Sequence, residues 1–180
     1  YGVNQPSKNS LKTMNPILLP MTLEQQVFDF YELEVFATEM YKQQKHRVPP
    51  SLLPIMEHFQ RIEEAHIERF AHLYQKITGR PPRFRWLPTL AARVATALIA
   101  PFGWKAILRF ECWVERHAVK DYTAAMNWVQ HPEARKAIQD TLADEEVHTP
   151  YLEVLRRFRE EEQHHIDEMT KRLQQKTLST

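Results

Sequence analysis

The 180 residues, 43% of them hydrophobic and 26% charged, suffice for one core and exclude wholesale disorder and fibrous classes. Only 3 glycines against 12 prolines disfavour a turn-rich β-sandwich or a glycine-loop phosphate binder, and fit long helices parted by proline-marked breaks. A net charge of +1 argues against nucleic acid as a partner, and the single cysteine excludes an internal disulfide framework or a Cys-rich metal site, pointing to a reducing, cytoplasmic compartment.

Residues 1–21 are polar and proline-punctuated and read as an N-terminal tail, added or processed, with Met14 and Met21 as candidate natural starts; residues 22–180 are the expected domain. Thr22-Leu23-Glu24-Gln25 reads as a capping box opening a helix that runs to about Lys45, and Val48-Pro49-Pro50 forms the link. Ser51 is the expected cap of the second helix, Pro54 is tolerable in its first turn, and Gly79 before Pro81-Pro82 closes it. A third, apolar segment spans Leu87 to Ala100. Its neighbourhood holds an uncharged stretch as long as any in the chain, Val94 to Trp104, far shorter than the roughly 20 residues of a membrane-spanning helix. A longer helix is expected from Gly103 to Val129, and a last one from His131-Pro132-Glu133 towards Leu173, kinked at Pro150. Short links pair the four long helices into two antiparallel hairpins, and the apolar segment crosses between them. The expected class is therefore all-α, a ferritin-like four-helix bundle with a helical crossover.

The apolar stripes of these helices are interrupted by acids. Glu34 falls on the stripe of Leu23, Val27, Phe30, Ala37 and Tyr41; Glu63 and His66 fill a gap between Phe59 and Phe70. Glu111 and Glu115 lie on the line of Leu108, Ala118, Tyr122 and Ala125, and Glu145 and His148 lie between Thr141 and Leu152. An ionised carboxylate is not stable unpaired in an apolar interior, and the stripes contain no Lys or Arg. Two divalent metals answer four carboxylates and two imidazoles. Glu63/His66 and Glu145/His148, at i and i+3, can each ligate from one helix face, and one Glu from each of the other two helices completes a ferritin-like dimetal pattern.

Glu34 and Glu63 stand almost equally far from the turn at 48, as do Glu115 and Glu145 from the turn at 131, so all four are level within about one helical turn. Glu161/His164 and Glu162/His165 would sit about 24 Å further along the axis and are rejected as ligands. Tyr41 and Tyr122 need partners for their hydroxyls, and Glu111 is an outer or channel-facing acid. Glu32, Glu39, Glu64 and Glu146 fall on polar faces, and Cys112 reads as a small buried hydrophobe.

Glu34-Val35-Phe36-Ala37 with Tyr41, Glu63-Glu64-Ala65-His66, Val114-Glu115 with Tyr122, and Asp144-Glu145-Glu146-Val147-His148 resemble the demethoxyubiquinone hydroxylase family over roughly residues 28–150. The resemblance implies two iron ions, with Glu34 and Glu115 as terminal ligands, Glu63 and Glu145 bridging, and one ion each for His66 and His148. Lys120-Asp121 stands where the family usually carries two histidines, so Asp121 joins Tyr41, Glu111 and Tyr122 as a candidate outer hydrogen-bonding residue.

The implied activity is a di-iron monooxygenase that hydroxylates a quinone-like lipid ring, with O2 as co-substrate and NADH as external electron donor. Two alternatives stay open: an erythrin-like peroxidase or ferroxidase, and a non-enzymatic bundle that binds a lipid or a partner. Oligomeric state is not legible. Between Arg80 and Phe110 the chain has basic residues and no acid, interleaved with Trp86, Leu87, Leu90, Leu98 and Phe102. That pattern fits a helix lying on an anionic membrane surface, peripheral at the inner membrane face, with the quinone entering between crossover and the first two helices.

Overall fold

In the computed structural model, which describes residues 22–83, 86–148, 157 and 168, the Thr22 hydroxyl accepts a hydrogen bond from the Gln25 amide at 3.1 Å and opens α1, Leu23–Gln44. The capping box is thus half realised, through the N-cap oxygen. A 3-10 turn, Lys45–Arg47, and a second, Pro50–Leu52, lead into α2, Leu53–Thr78. Ser51, expected as the cap of α2, lies inside that second turn, and Leu52 holds the N-cap position. Pro50 and Pro54 have φ preset for helical turns, so the chain begins to coil before the serine can cap. Gly79 ends α2 at φ +74°, a conformation that a Cβ would disfavour, and its amide closes on Gln75 O at 2.8 Å.

The crossover is α3, Trp86–Ile99, followed by a 3-10 turn, Ala100–Phe102, and Gly103. Next, α4 runs Trp104–Met126, ending before the expected Val129. The last turn tightens instead, with Asn127 N and Trp128 N bonding three residues back to Ala124 O and Ala125 O at 3.2 Å, and Arg135 Nη1 donates to the terminal carbonyls of Met126 at 2.6 Å and Val129 at 3.2 Å. The last described helix, α5, covers 132–148 with Pro132 in its first turn. Its expected continuation past Pro150 lies outside the described residues. Among the described residues there is no strand.

Two apolar clusters define the ends of the bundle. One unites the start of α1 (Val27, Phe30), the end of α2 (Phe70, Leu73), the end of α4 (Tyr122, Ala125) and the start of α5 (Ala134, Ile138). The other unites Tyr41, Leu52, Met56, Phe59, Leu108 and Cys112 at the opposite end. Hence α1 is antiparallel to α2 and to α4, and α4 to α5. This is the four-helix bundle of two hairpins, and α3 runs back along α1 so that α4 can start where α2 starts.

The crossover buries its small residues, Ala92 and Thr96, with Ala92 packed against Met40 and Val114. It therefore seats on α1 and α4, not over α1 and α2, because only small side chains fit the groove those two helices leave. Its large apolar groups face outward: Trp86 is 62% exposed, Leu98 67% and Phe102, just beyond it, 78%. No described helix is long and apolar enough to cross a membrane.

Candidate metal centre

Between the two apolar clusters the four long helices present a polar layer. Glu34 comes from α1, Glu63 and His66 from one face of α2, Glu115 from α4, and Glu145 and His148 from one face of α5. All six are at most 3% exposed. Each helix places its acid here for the same reason: the position belongs to the buried stripe, so packing the apolar residues on either side carries the carboxylate inward.

The side chains gather into two groups that share members. Glu34, Glu63, His66 and Glu145 bring one ligand atom each within 4.8 Å of one another, and so do Glu63, Glu115, Glu145 and His148. In the first, His66 Nδ1 lies 3.5 Å from Glu34 Oε2, 3.4 Å from Glu63 Oε2 and 3.5 Å from Glu145 Oε1. In the second, His148 Nδ1 lies 3.7 Å from Glu63 Oε1 and 3.9 Å from Glu145 Oε2. Glu63 and Glu145 each turn one oxygen to each group.

Tyrosines cross the bundle to the two unshared acids. The Tyr122 hydroxyl of α4 donates to Glu34 Oε1 on α1, and the Tyr41 hydroxyl of α1 donates to Glu115 Oε1 on α4 at 2.7 Å. On the far side of its ring, His66 Nε2 lies 3.1 Å from Asp144 Oδ2, which also accepts from both terminal nitrogens of Arg69 at 3.3 Å. That contact calls for a proton on Nε2 and turns Nδ1 towards the cluster. The contribution of Arg69 and Asp144 as an outer brace was missed from sequence, since Asp144 precedes Glu145 and its helix position is off the buried stripe.

The electrostatics show a layer short of positive charge. Burial, then the Glu34 charge, pushes Glu63 well above the ordinary carboxyl range; burial and Glu145 do the same to Glu115. Burial and Glu63 raise Glu145 to about 7. For Glu34, burial raises the pKa, but contacts with His66, Glu63 and Tyr122 together outweigh it and lower the value. Burial opposes protonation of His66, yet Glu145, Glu34 and Glu63 together hold its pKa above the usual imidazole range, whereas burial and then His66 lower His148 to about 4. One imidazolium does not balance four carboxyls. Both oxygens of Glu63 and Nδ1 of both histidines have no hydrogen-bond partner, which is the state expected of atoms whose natural partner is a cation. Carboxylate and imidazole donors suit iron or manganese. The residues present therefore fit a pair of divalent ions.

Other expectations fare differently. Asp121 is exposed and lines a groove between α1 and α4 with Asp29 and Trp128, because one residue's step from buried Tyr122 turns it about 100° around the helix. Asp121 is thus not an outer partner of the centre. Glu39, expected on a polar face, lies under the crossover and accepts from Arg93 Nε at 2.8 Å. Glu111 is fully buried, and Cys112 is buried in the apolar cluster as expected. Glu161, Glu162, His164 and His165 lie outside the described residues.

The sequence family described as ubiquinone biosynthesis protein COQ7 matches residues 33–179, well over half of the chain and inclusive of all six clustered residues. No curated protein and no solved structure matches the chain.

Proposed function

The chain belongs to the ubiquinone biosynthesis protein COQ7 family, and from that premise we propose that it is a di-iron monooxygenase which hydroxylates a quinone-like lipid ring using O2 and electrons from an external donor, ultimately NADH. The observation that carries the reading is the sharing of Glu63 and Glu145 between two four-residue groups. Glu34, Glu63, His66 and Glu145 would hold one ion; Glu63, Glu115, Glu145 and His148 would hold the other. Bound iron supplies the reductive activation of O2 that ring hydroxylation requires.

The chain's own residues do the rest. Asp144 holds a proton on His66 Nε2, so that Nδ1 is the nitrogen that would be offered to an ion. Tyr122 and Tyr41 direct their hydroxyl protons to Glu34 and Glu115, which limits each acid's free oxygen to the cluster. Phe59, its ring 4.6 Å from that of His148, and Met56 keep water from that side. A quinone ring is apolar, and the outward face of α3 supports its delivery from an anionic membrane surface through residues 80–110. Two of the basic residues in that span are committed to the bundle, Arg80 to Glu24 and Arg93 to Glu39, so adsorption rests chiefly on the exposed Trp86, Leu87, Leu90 and Leu98. The protein would be peripheral, at the inner membrane face.

Metal analysis of anaerobically purified protein, followed by O2 uptake with a reduced quinone, tests the activity. Two irons per chain and quinone-dependent uptake are expected; iron with peroxide consumption and no quinone dependence would move the reading to a peroxidase. Absence of bound metal from protein made under iron-replete conditions would overturn it. For the surface, sedimentation with anionic liposomes at low salt is expected for the parent. Joint Trp86→Asp and Leu90→Asp substitution should abolish it and leave metal content unchanged.

A further inference from the structure

The outward face of α4 takes no part in the centre. Ala106, Phe110, Trp113, His117 and Ala124 recur at three-, four- and seven-residue spacings, so they share one stripe of the helix, turned away from Glu115. Trp113 is 53% exposed although it is among the largest apolar side chains. Its ring is already held, stacked at 13° on Phe110 and with its centroid 4.1 Å from that of His117, so little rotamer freedom remains to be lost on contact.

Beyond the two ends of α4 stand a projection and a recess. Phe102, in the turn that joins α3 to α4, is 78% exposed. At the other end a groove of about 510 Å³ opens between α1 and α4, lined by Asp29, Leu33, Asp121, Ala124, Ala125 and Trp128. The crossover fills the gap between these two helices only farther along, around Ala92.

Position 115 is the midpoint of this face. Ala106 and Ala124, Arg109 and Asp121, Trp113 and His117, and Phe102 and Trp128 are pairs whose members stand equally far from it along the chain. Two copies of α4 laid antiparallel about a two-fold axis at that level therefore pair small with small, base with acid and ring with ring, and bring Phe102 of each copy to the groove of the other. Complementarity of a face to itself in the reversed direction is what an isologous contact requires. Arg109 has five donors, enough to serve Asp121 of the second copy besides acceptors in its own chain. An anionic membrane is the poorer occupant, because this face includes Asp121 and the groove adds Asp29, whereas the outward face of α3 has no acid.

We propose that the outward face of α4 is an interface with a second copy of this chain, in an antiparallel two-fold arrangement centred on Trp113 and His117. α3 packs to one side of that contact, near Val114 and Phe110. A two-fold axis between antiparallel helices keeps each flank on its own side, so both crossovers end on the same side of the pair. Their exposed Trp86, Leu90 and Leu98 then meet one surface together, which joins two weak adsorptions into a stronger one. This last consequence rests on the membrane reading above; the interface does not.

Sedimentation equilibrium of the full chain as purified, without lipid or detergent, should give twice the 21.5 kDa of one copy. Trp113→Glu should raise the dimer dissociation constant by about 100-fold or more with helical content kept, and the joint Trp86→Asp and Leu90→Asp variant should stay dimeric. A monomeric parent, an undiminished dimer of Trp113→Glu or a monomeric Trp86→Asp and Leu90→Asp variant would overturn the proposal. Sedimentation of a monomeric parent with liposomes, lost in Trp113→Glu, would give the face to lipid instead. Register is read separately, in variants whose native Cys112 is buried. Joint Ala106→Cys and Ala124→Cys substitution should yield a disulfide-linked dimer under mild oxidation. Either substitution alone should not, because each position lies about 27 Å along the axis from its own counterpart. A cross-link in a single variant, or none in the joint one, would refute the antiparallel pairing.

Discussion

The two halves of the centre share two acids and differ in everything around them. The His66 half is braced by charge: Asp144 holds its imidazole and Arg69 holds Asp144, near the protein surface. Around the His148 half stand Phe59, Met56 and the Tyr41 phenol, all deeply buried. The electrostatics follow, since His66 has its proton affinity raised by carboxylates and His148 is lowered to about 4 by burial. One half is oriented by hydrogen bonds to ionised groups, the other by packing and by neutral donors. The difference teaches that a nearly symmetric set of candidate ligands does not imply two equivalent sites: the two surroundings differ in charge and in depth of burial.

The comparison is broken most severely at the residues common to both halves. Glu63→Ala or Glu145→Ala should remove metal from both positions, whereas His66→Ala should empty mainly one; metal stoichiometry of the purified variants distinguishes these. Loss of a single ion from Glu63→Ala would mean that it does not bridge.

Asp144→Asn tests the charged brace alone. It should weaken one metal site by about 10–100-fold and leave the other near the parent's affinity, read by cobalt titration. Equal weakening of both sites would show that the two halves are not independently supported.

The tyrosines sharpen the contrast further. Tyr122→Phe removes one hydroxyl donor from Glu34 and should destabilise by about 1.5–3 kcal/mol, the ring itself remaining packed on Phe30 and Phe70. Tyr41→Phe should cost less, because the pKa of Glu115 is raised where that of Glu34 is lowered, and a hydrogen bond to a charged acceptor is the stronger. Denaturant midpoints of the two variants give the order, and the reverse order would remove the distinction drawn between the two halves.

The smallest effect is in pH. Glu63, Glu111 and Glu115 hold their protons in the folded, metal-free chain above the ordinary value of 4.5. Above that value the unfolded chain has released them, so it binds fewer protons and stability falls as pH rises. Glu145, raised to about 7, and His66, held above its ordinary 6.5 by carboxylates, act in the same direction; His148, lowered from 6.5 to about 4, works the other way, one group against five. Chelator-treated protein should therefore unfold at lower denaturant at pH 7 than at pH 5, and a rising midpoint would count against neutral acids in the layer.

The fold was legible because its signals are local and periodic. Thr22, Gly79 and Pro132 punctuate helices through backbone geometry that depends on a few neighbouring residues, and the apolar stripe of each helix states which face turns inward. For the same reason the inward acids could be read: Glu34, Glu63, Glu115 and Glu145 occupy stripe positions, and equal distances from the two turns make them level. Ser51 misled because Pro50 starts the coil before it, and Val129 because the last turn of α4 tightens to bonds three residues back.

Periodicity determined which side chains enter the core; only the packing of helices against one another decided what each meets there. Residue spacing has no term for Asp144 reaching across to His66, since the two are brought together by the approach of α5 to α2. Nor could it separate Asp121 from Tyr122 as outer partners until α4 was rotated into place, or show that Glu39 would lie beneath the crossover. The pairing of Tyr41 with Glu115 and of Tyr122 with Glu34 depends on side chains of α1 and α4 meeting in one buried layer. Sequence supplies the charges and their helix faces, whereas hydrogen-bond direction and proton affinity belong to the three-dimensional surroundings, because both depend on distance and on the exclusion of water.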